Sequence, residues 1–321
     1  MKKVISIFIS LSILALIYWK IDLVKLVDIF RHCHTGWLAL SFFMFIPLIL
    51  LISKRLQILA PKIAHVSWAE ALKLVLSASV LNLVLPSKMG DIAKAYFIAE
   101  KGYLSGSVSL SLMIYEKSCD MLSLMLWCII GLIIYPQKNT FMLWLSILII
   151  SVFILGVLII ISQKFSNLFF TFLKRISPEI IGRKINTIGT AWAEMCHYVA
   201  QDRMLIFRVA GISIFIWFLH LVQIWFFILM LNYRLPFIEH LVLAPLSIFI
   251  GLLPLTFAGI GTRDAALIFF YRDYLTTSAA AALGILCTSR YLIPAVFGIP
   301  FFNDYLAKIN YLKKQQISNG N

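Results

Sequence analysis

Charged residues are scarce in this chain, and acidic residues are the scarcest of them. Only 13% of the 321 residues are charged, with 14 acidic side chains against 28 Lys and Arg. The hydrophobic content is 61% and the mean hydropathy is +0.94, values that exclude a soluble globular domain of this length. We therefore predict an all-α, polytopic membrane helix bundle that forms one integral membrane domain over residues 1–321.

The sequence also lacks the patterns of metal, cofactor and catalytic sites. Its five cysteines contain no CxxC pair, and we find no HExxH pattern, P-loop or catalytic Ser/His/Asp set. The trio His32, Cys33 and His34 lacks a fourth metal ligand and is interpreted as a polar loop. The stretch "GIGTRD" lacks the third glycine and the preceding strand of a dinucleotide site. These absences predict no cofactor, no bound metal and no enzymatic activity.

Apolar runs long enough to cross a bilayer, which takes about 20 residues, recur along the chain. The first run is followed by Tyr18, Trp19 and Lys20 rather than a cleavage site, so it is interpreted as a retained span and not a secretory signal. Two other runs, 71–86 and 241–257, each end in a Pro followed by Gly and charge, and are predicted to be broken or re-entrant. The six predicted spans are residues 4–19, 37–53, 107–135, 141–162, 205–231 and 278–302.

The formal charge of +14 comes from cations in the loops, which favours anionic lipid over nucleic acid as the partner. The segments on the side of the two termini hold 15 Lys and Arg residues, and the segments on the opposite side hold 5. Because positively charged loops stay in the cytoplasm, both termini are predicted to be cytoplasmic in an inner membrane protein. Within the long inner loop 163–204, a break at Ser177 and Pro178 precedes an amphipathic helix predicted to lie on the membrane face. The apolar stripe of this helix is Ile185, Ile188, Trp192, Met195 and Val199. The predicted inner segments are 1–3, 54–73, 163–204 and 303–321, and the predicted outer segments are 20–36, 136–140 and 232–237.

The two broken segments resemble each other, which predicts an internal repeat over about 71–135 and 241–302. Each runs from Leu-Pro through Gly to an Asp and then to an aromatic helix. In the predicted topology the copies are inverted, as in many secondary transporters. A helix break inside a membrane survives only where it lines protein or a wet cavity, and its free NH groups can hold an anion. The predicted break residues are Pro86, Gly90, Pro254, Gly259 and Gly261.

Charged side chains also lie within the predicted spans and beside the breaks. Glu116, Lys117 and Asp120 lie within one span, and Arg290 lies within the last. Burying each such group costs about 2.5 to 3.5 kcal/mol, so something must pair with it or hydrate it. One interpretation is a closed ion-pair network that fixes helix packing, and the other is a polar cavity for a charged headgroup. The charges near the breaks are Asp91, Lys94, Arg263 and Asp264.

Three stretches, "LNLVLPSKMGDIAKAYFI", "YEKSCD" and "LLPLTFAGIGTRDAAL", resemble the signatures of the lysylphosphatidylglycerol synthase transmembrane-region family, also called the flippase-like domain family. Here Asp91 and Asp264 stand where the family usually has Glu, and Lys117 stands where it usually has Arg, so the headgroup is expected to differ. The resemblance implies lipid translocation or binding without a soluble aminoacyl-transferring domain. The matching positions are Asn82, Pro86, Gly90, Asp91, Glu116, Lys117, Asp120, Pro254, Gly259, Gly261, Arg263 and Asp264.

Together these patterns predict a stand-alone translocase for an anionic or phosphate-linked lipid, with a polyprenyl-phosphate glycan carrier as one candidate. Two alternatives stay open: a non-transporting subunit that binds a partner enzyme, and a lipid-modifying membrane enzyme. A protein partner or a second copy of the chain is compatible with each. The cations expected to hold the phosphate are Arg263, Arg290, Lys117 and Lys94, and the carboxylates expected to orient them or couple to protons are Glu116, Asp120, Asp91 and Asp264.

Overall fold

A computed structural model describes residues 23–84, 90–134, 140–252 and 261–319. The described residues form α-helices and one short 3-10 turn, Lys62–Ala64, and no strand. The predicted first span, 4–19, and the predicted break residues Pro86, Pro254 and Gly259 lie outside the described residues. The helices are α1 (Leu23–Arg31), α2 (Thr35–Phe43), α3 (Phe45–Leu59), α4 (Trp68–Val84), α5 (Gly90–Glu100), α6 (Gly106–Ile134), α7 (Thr140–Ile161), α8 (Gln163–Ile176), α9 (Glu179–Ala200), α10 (Arg203–Met230), α11 (Phe237–Leu252), α12 (Thr262–Phe270), α13 (Thr277–Ser289) and α14 (Leu292–Asn319).

The helical membrane bundle is confirmed. Within the described residues, five helical segments are long and apolar enough to cross a membrane, and each overlaps a predicted span. They are Thr35–Leu59, Gly106–Ile134, Met142–Ile161, Arg203–Met230 and Thr277–Tyr305.

Two of these segments are interrupted, which differs from the continuous spans predicted over 37–53 and 278–302. The first divides at Met44 between α2 and α3, and the second divides at Arg290 and Tyr291 between α13 and α14. A proline follows each interruption: Pro47 in α3 and Pro294 in α14. Because proline has no N–H, neither can donate to the carbonyl four residues earlier, and the helix is weakened there.

The two predicted broken segments appear as helix pairs, α4 with α5 and α11 with α12. Helix α4 ends at Val84 and α11 ends at Leu252, while α5 begins at Gly90 and α12 begins at Thr262. In each pair the short second helix packs against the first. The first helix of each pair also packs against a helix of the other predicted repeat. Helix α4 packs against α14 of the second repeat, and α11 packs against α6 of the first. The inverted relation of the copies, and the re-entrant course of the breaks, remain predictions.

The loop 163–204 forms α8 and α9, separated at Ser177 and Pro178 as predicted. The apolar stripe on α9 faces protein, because α6 and α8 cover it. Trp192 is buried and contacts the rings of Tyr115 on α6 and Phe170 on α8. Most of the large exposed apolar side chains of this loop lie on α8 instead, and include Leu168, Phe172 and Ile176.

Two apolar cores stack along the bundle, and α6 and α10 run through both. The first half of α6 contributes Leu112 to one core, and its second half contributes Leu124 to the other. Helix α10 is divided in the same way, with Val209 in the first core and Leu221 in the second. The level between the two cores is where the charged residues of α6 lie.

Candidate functional site

Glu116 and Asp120 lie on α6 between its contributions to the two cores. They are one helical turn apart, so both side chains project from the same face of α6. Glu116 is 1% exposed. Carboxylates at this depth require compensating charge, and cations on α3, on α5 and on α6 itself supply it.

Arg55 on α3 bridges the two carboxylates. Its Nη2 atom donates to Glu116 Oε1 at 2.8 Å, and its Nη1 atom pairs with Asp120. Nη1 also donates to Ser213 Oγ on α10 at 2.9 Å. The planar guanidinium presents several donors in a fixed fork, so one side chain can hold α3, α6 and α10 together.

Two lysines and Asp91 complete the network. Lys94 Nζ, on α5, lies 2.8 Å from Glu116 Oε2 and 3.8 Å from Asp91 Oδ1. Lys117 pairs with Asp91 and lies 3.2 Å from Asp120 Oδ2. Each lysine therefore contacts two carboxylates, and the three cations Arg55, Lys94 and Lys117 balance three anions. Sequence-predicted residues from α5 and α6 are thus brought together.

Asn82 joins this group from the end of α4. Its Nδ2 atom donates to Asp91 Oδ1 at 3.3 Å. Gly90, the first residue of α5, permits the close approach of the two helices, because a Cβ there would lie 2.4 Å from the Ala78 carbonyl oxygen. A larger residue would separate α4 from α5 and carry Asp91 away from Asn82.

A cavity of about 380 Å³ opens beside the network. Its charged side is formed by the network residues, and its other sides are largely apolar. This volume lies within the range of small-molecule sites, about 300 to 1,000 Å³. The lining residues come from α3, α4, α5, α6, α10, α11 and α14, and from the α13–α14 interruption: Phe45, Leu48, Ile49, Ile52, Arg55, Val75, Ser79, Asn82, Asp91, Lys94, Glu116, Lys117, Asp120, Met121, Ile216, Trp217, His220, Gln223, Leu252, Arg290, Tyr291 and Pro294.

Arg290 enters the cavity from the interruption between α13 and α14. It is 5% exposed, and its Nη2 atom donates to the Tyr291 hydroxyl at 2.9 Å. Its Nε and Nη1 atoms have no hydrogen-bond partner, and no carboxylate of the described ranges forms an ion pair with it. Arg290 therefore differs from the three network cations, each of which contacts two carboxylates.

Arg263 and Asp264 do not line this cavity. Their side chains pair with each other at 2.7 Å, and Arg263 Nη2 also donates to the Gly284 carbonyl and to Thr288 Oγ1 on α13. Asp264 Oδ2 accepts from the Gly261 backbone N–H at 3.0 Å. These bonds tie the start of α12 to α13, whose end leads into Arg290.

Gly261 has a positive φ of 99°, a conformation that favours glycine. The predicted break residue therefore has a conformational role at the start of α12.

Arg55 is the site residue that the sequence reasoning missed, because it was counted as a cation of the inner loop 54–73. Helix α3 continues to Leu59, and Arg55 is 1% exposed within it. The helical period carried a usable signal, since Arg55 follows Leu48 and Ile52 on the face that meets the cavity. Its neighbour Lys54, by contrast, is exposed.

Within the described ranges, no group of three or more His, Cys, Asp or Glu side chains is arranged to hold a metal ion. The His32, Cys33 and His34 segment lies between α1 and α2, where His32 Nδ1 contacts Asp28.

A comparison with known protein families identifies the family of the chain. The sequence profile described as the Lysylphosphatidylglycerol synthase TM region matches residues 3–298, nearly the whole chain. The chain belongs to this family. Membership in the Lysylphosphatidylglycerol synthase TM region family confirms a polytopic membrane protein associated with lipid processing or translocation. No curated protein matches the chain significantly, and no solved structure does.

Proposed function

We propose that this member of the family translocates an anionic or phosphate-linked lipid across the inner membrane, with both termini in the cytoplasm. The observation that carries the proposal is Arg290, a buried cation beside a cavity, with two donor atoms that have no partner. Burying an uncompensated charge in a membrane protein is costly, about 2.5 to 3.5 kcal/mol even on a lenient scale. The phosphate of a bound lipid would supply the missing negative charge.

The balanced network supports transport over a purely structural role. In a closed ion-pair network, every buried cation would be paired with a carboxylate. Here Arg55, Lys94 and Lys117 are paired with carboxylates, whereas Arg290 is not. The network keeps a polar surface at mid-height in the bundle, so that a headgroup can pass between the apolar cores without meeting hydrocarbon. The apolar part of the lining suits the acyl or prenyl chains of the same lipid.

The proposed roles of the remaining residues follow from their positions. Lys94 and Lys117 would contact the phosphate as it crosses, while Glu116, Asp91 and Asp120 orient these lysines. The pair Arg263 and Asp264 would act on the site indirectly, by fixing the end of α13 that leads into Arg290.

The experiment is reconstitution of the full chain into liposomes with a fluorescent anionic phospholipid and a membrane-impermeant quencher. Wild-type protein is expected to accelerate exposure of inner-leaflet lipid to the quencher, and Arg290→Gln is expected to slow it by about tenfold or more, the size expected for losing a charge-assisted contact. Arg272→Gln is the matched control, because Arg272 is exposed and is not among the residues that line the cavity.

The proposal is wrong if no anionic lipid moves faster than in protein-free liposomes, or if Arg290→Gln matches wild type. Mass analysis of the lipids after incubation separates transport from chemistry, since a changed mass would identify a lipid-modifying enzyme instead.

A further inference from the structure

Helix α8, Gln163–Ile176, carries an exposed apolar stripe on one face. Its members recur three and four residues apart, the spacing that places side chains on the same side of an α-helix. Leu168 is 65% exposed and Ile176 is 63% exposed, values unusual for large apolar side chains on a surface that meets only water. The stripe consists of Phe165, Leu168, Phe169, Phe172 and Ile176.

Contacts with α9 fix the direction in which this α8 stripe points. The ring of Phe170 lies 6.4 Å from the ring of Trp192 on α9, centroid to centroid. Ser166, one turn before Phe170 on the same flank of α8, is buried. Gly189 allows the close approach, because a Cβ there would lie 3.2 Å from the Phe170 ring. The rotation of α8 is therefore set by the protein, and the stripe is turned away from α9.

The α8 stripe continues the apolar surface of a membrane span. Helix α7 ends at Ile161, and Ser162 alone separates it from α8. Ser162 has an extended backbone, with φ −108° and ψ 113°, so α8 leaves the direction of α7 there. Ile154 and Ile161 of α7 are exposed, as expected of side chains that contact lipid. The stripe therefore begins where the span reaches the membrane surface.

The charges of α8 are all positive. The helix contains Lys164, Lys174 and Arg175 and no Asp or Glu. At about 100° per residue, Lys164 and Arg175 flank the stripe, whereas Lys174 lies on the opposite side of the helix. The stem of Lys174 runs toward α9, since a Cβ on Gly182 would lie 3.5 Å from its Cγ atom. Cations beside an apolar face are suited to anionic lipid headgroups, because their apolar stems can lie along the membrane surface.

From this orientation, continuity and charge we infer that α8 is an interfacial helix that inserts its stripe into the membrane surface and binds anionic headgroups through Lys164 and Arg175. The surface is separate from the cavity, none of whose lining residues lies on α8. The inference thus goes beyond the proposed function and does not depend on transport. It gives α8 the place on the membrane face that the sequence pattern predicted for α9.

The test is hydrogen–deuterium exchange of the full-length protein in nanodiscs of phosphatidylcholine alone or mixed with phosphatidylglycerol. Amides of an inserted helix exchange slowly, because the helix must leave the membrane before it opens. Each cation near an anionic surface contributes about fivefold to binding, so we expect α8 amides to exchange about tenfold or more slowly in the mixed nanodiscs. Amides of the buried helix α13 are the internal reference.

Three variants separate the roles of charge and apolar surface. Arg175→Gln is expected to reduce the difference between the two lipids by about fivefold. Lys174→Gln is the matched control, because it removes the same charge from the same last turn but from the side opposite the stripe, and its difference should stay near the wild-type value. Phe172→Gln is expected to speed α8 exchange in both lipids, because Phe172 is exposed in the stripe and its removal lessens insertion.

Four outcomes would overturn the inference. Equal exchange of α8 in the two lipids, or equal effects of Arg175→Gln and Lys174→Gln, would refute the binding of anionic headgroups. Wild-type exchange in Phe172→Gln would refute insertion of the stripe. Slow exchange found only in nanodiscs that hold two copies of the protein would assign the stripe to a second copy of the chain.

Failure of this inference is distinguishable from failure of the proposed function. Arg290→Gln is expected to slow transport and to leave α8 exchange unchanged, because Arg290 lines the cavity. Lipid-dependent protection of α8 without transport in liposomes would refute translocation alone, and transport without that protection would refute only the role of α8.

Discussion

Replacing Arg55 by methionine tests whether the charged network stabilises the bundle. Methionine fills a similar volume but removes the donors to Glu116, Asp120 and Ser213. Breaking a buried ion pair by removing one partner costs about 3 to 5 kcal/mol. Each carboxylate keeps one lysine, Lys94 or Lys117, so we expect a loss near the lower end, about 3 kcal/mol.

The loss is measured by denaturant unfolding of the detergent-solubilised protein. Lys54→Met is the control, because Lys54 precedes Arg55 on α3 but is exposed and contacts Gln57. The control is expected to unfold at the wild-type midpoint. Combining Arg55→Met with Asp120→Asn should cost less than the sum of the two single losses, because both remove the same interaction. Equal midpoints for Arg55→Met and Lys54→Met would refute the reasoning.

The remaining predictions concern packing and a buried polar pair. Gly298→Ala should destabilise the protein, because the added Cβ would lie 2.1 Å from the Leu76 carbonyl oxygen. Gly211→Ala is the control, because a Cβ there meets nothing within 4 Å and should stabilise α10 by up to about 1 kcal/mol. Thermal unfolding that ranks the two variants the other way would contradict the packing of α14 on α4. Tyr271→Phe removes the contact of 2.9 Å with His240 Nδ1 and should cost about 1 to 3 kcal/mol in unfolding free energy, because a buried ring nitrogen loses its partner; wild-type stability would contradict that contact.

Much of the fold could be predicted from hydropathy. The spans came from apolar length, and the ends of α4 and α11 lie close to the predicted breaks at 71–86 and 241–257. The interruption at Arg290 was not predicted, because hydropathy averages over a window and does not register the loss of one backbone donor at Pro294. The burial of the α9 stripe against α6 was not predicted either, since the same pattern suits a protein face or a membrane surface.

The site could be predicted only in part. The charges of α6 were evident because Glu116, Lys117 and Asp120 interrupt an apolar span. Their partner Arg55 was missed because it lies near the end of its span, where a cation is equally expected in a loop. The pairing of Arg263 with Asp264 could not be read from their adjacency, since neighbouring residues on a helix do not face each other unless their side chains bend together.

The sequence by itself determined that this is a helical membrane protein with charged groups in its apolar spans, because the length of an apolar run and the charged residues within it are local properties of the chain. Only the tertiary structure decided which of those charges cancel. Ion pairing depends on distances between side chains of α3, α5 and α6, which no single segment of the sequence encodes. In the folded protein, carboxylates neutralise Arg55, Lys94 and Lys117, whereas Arg290 lies uncompensated beside the cavity.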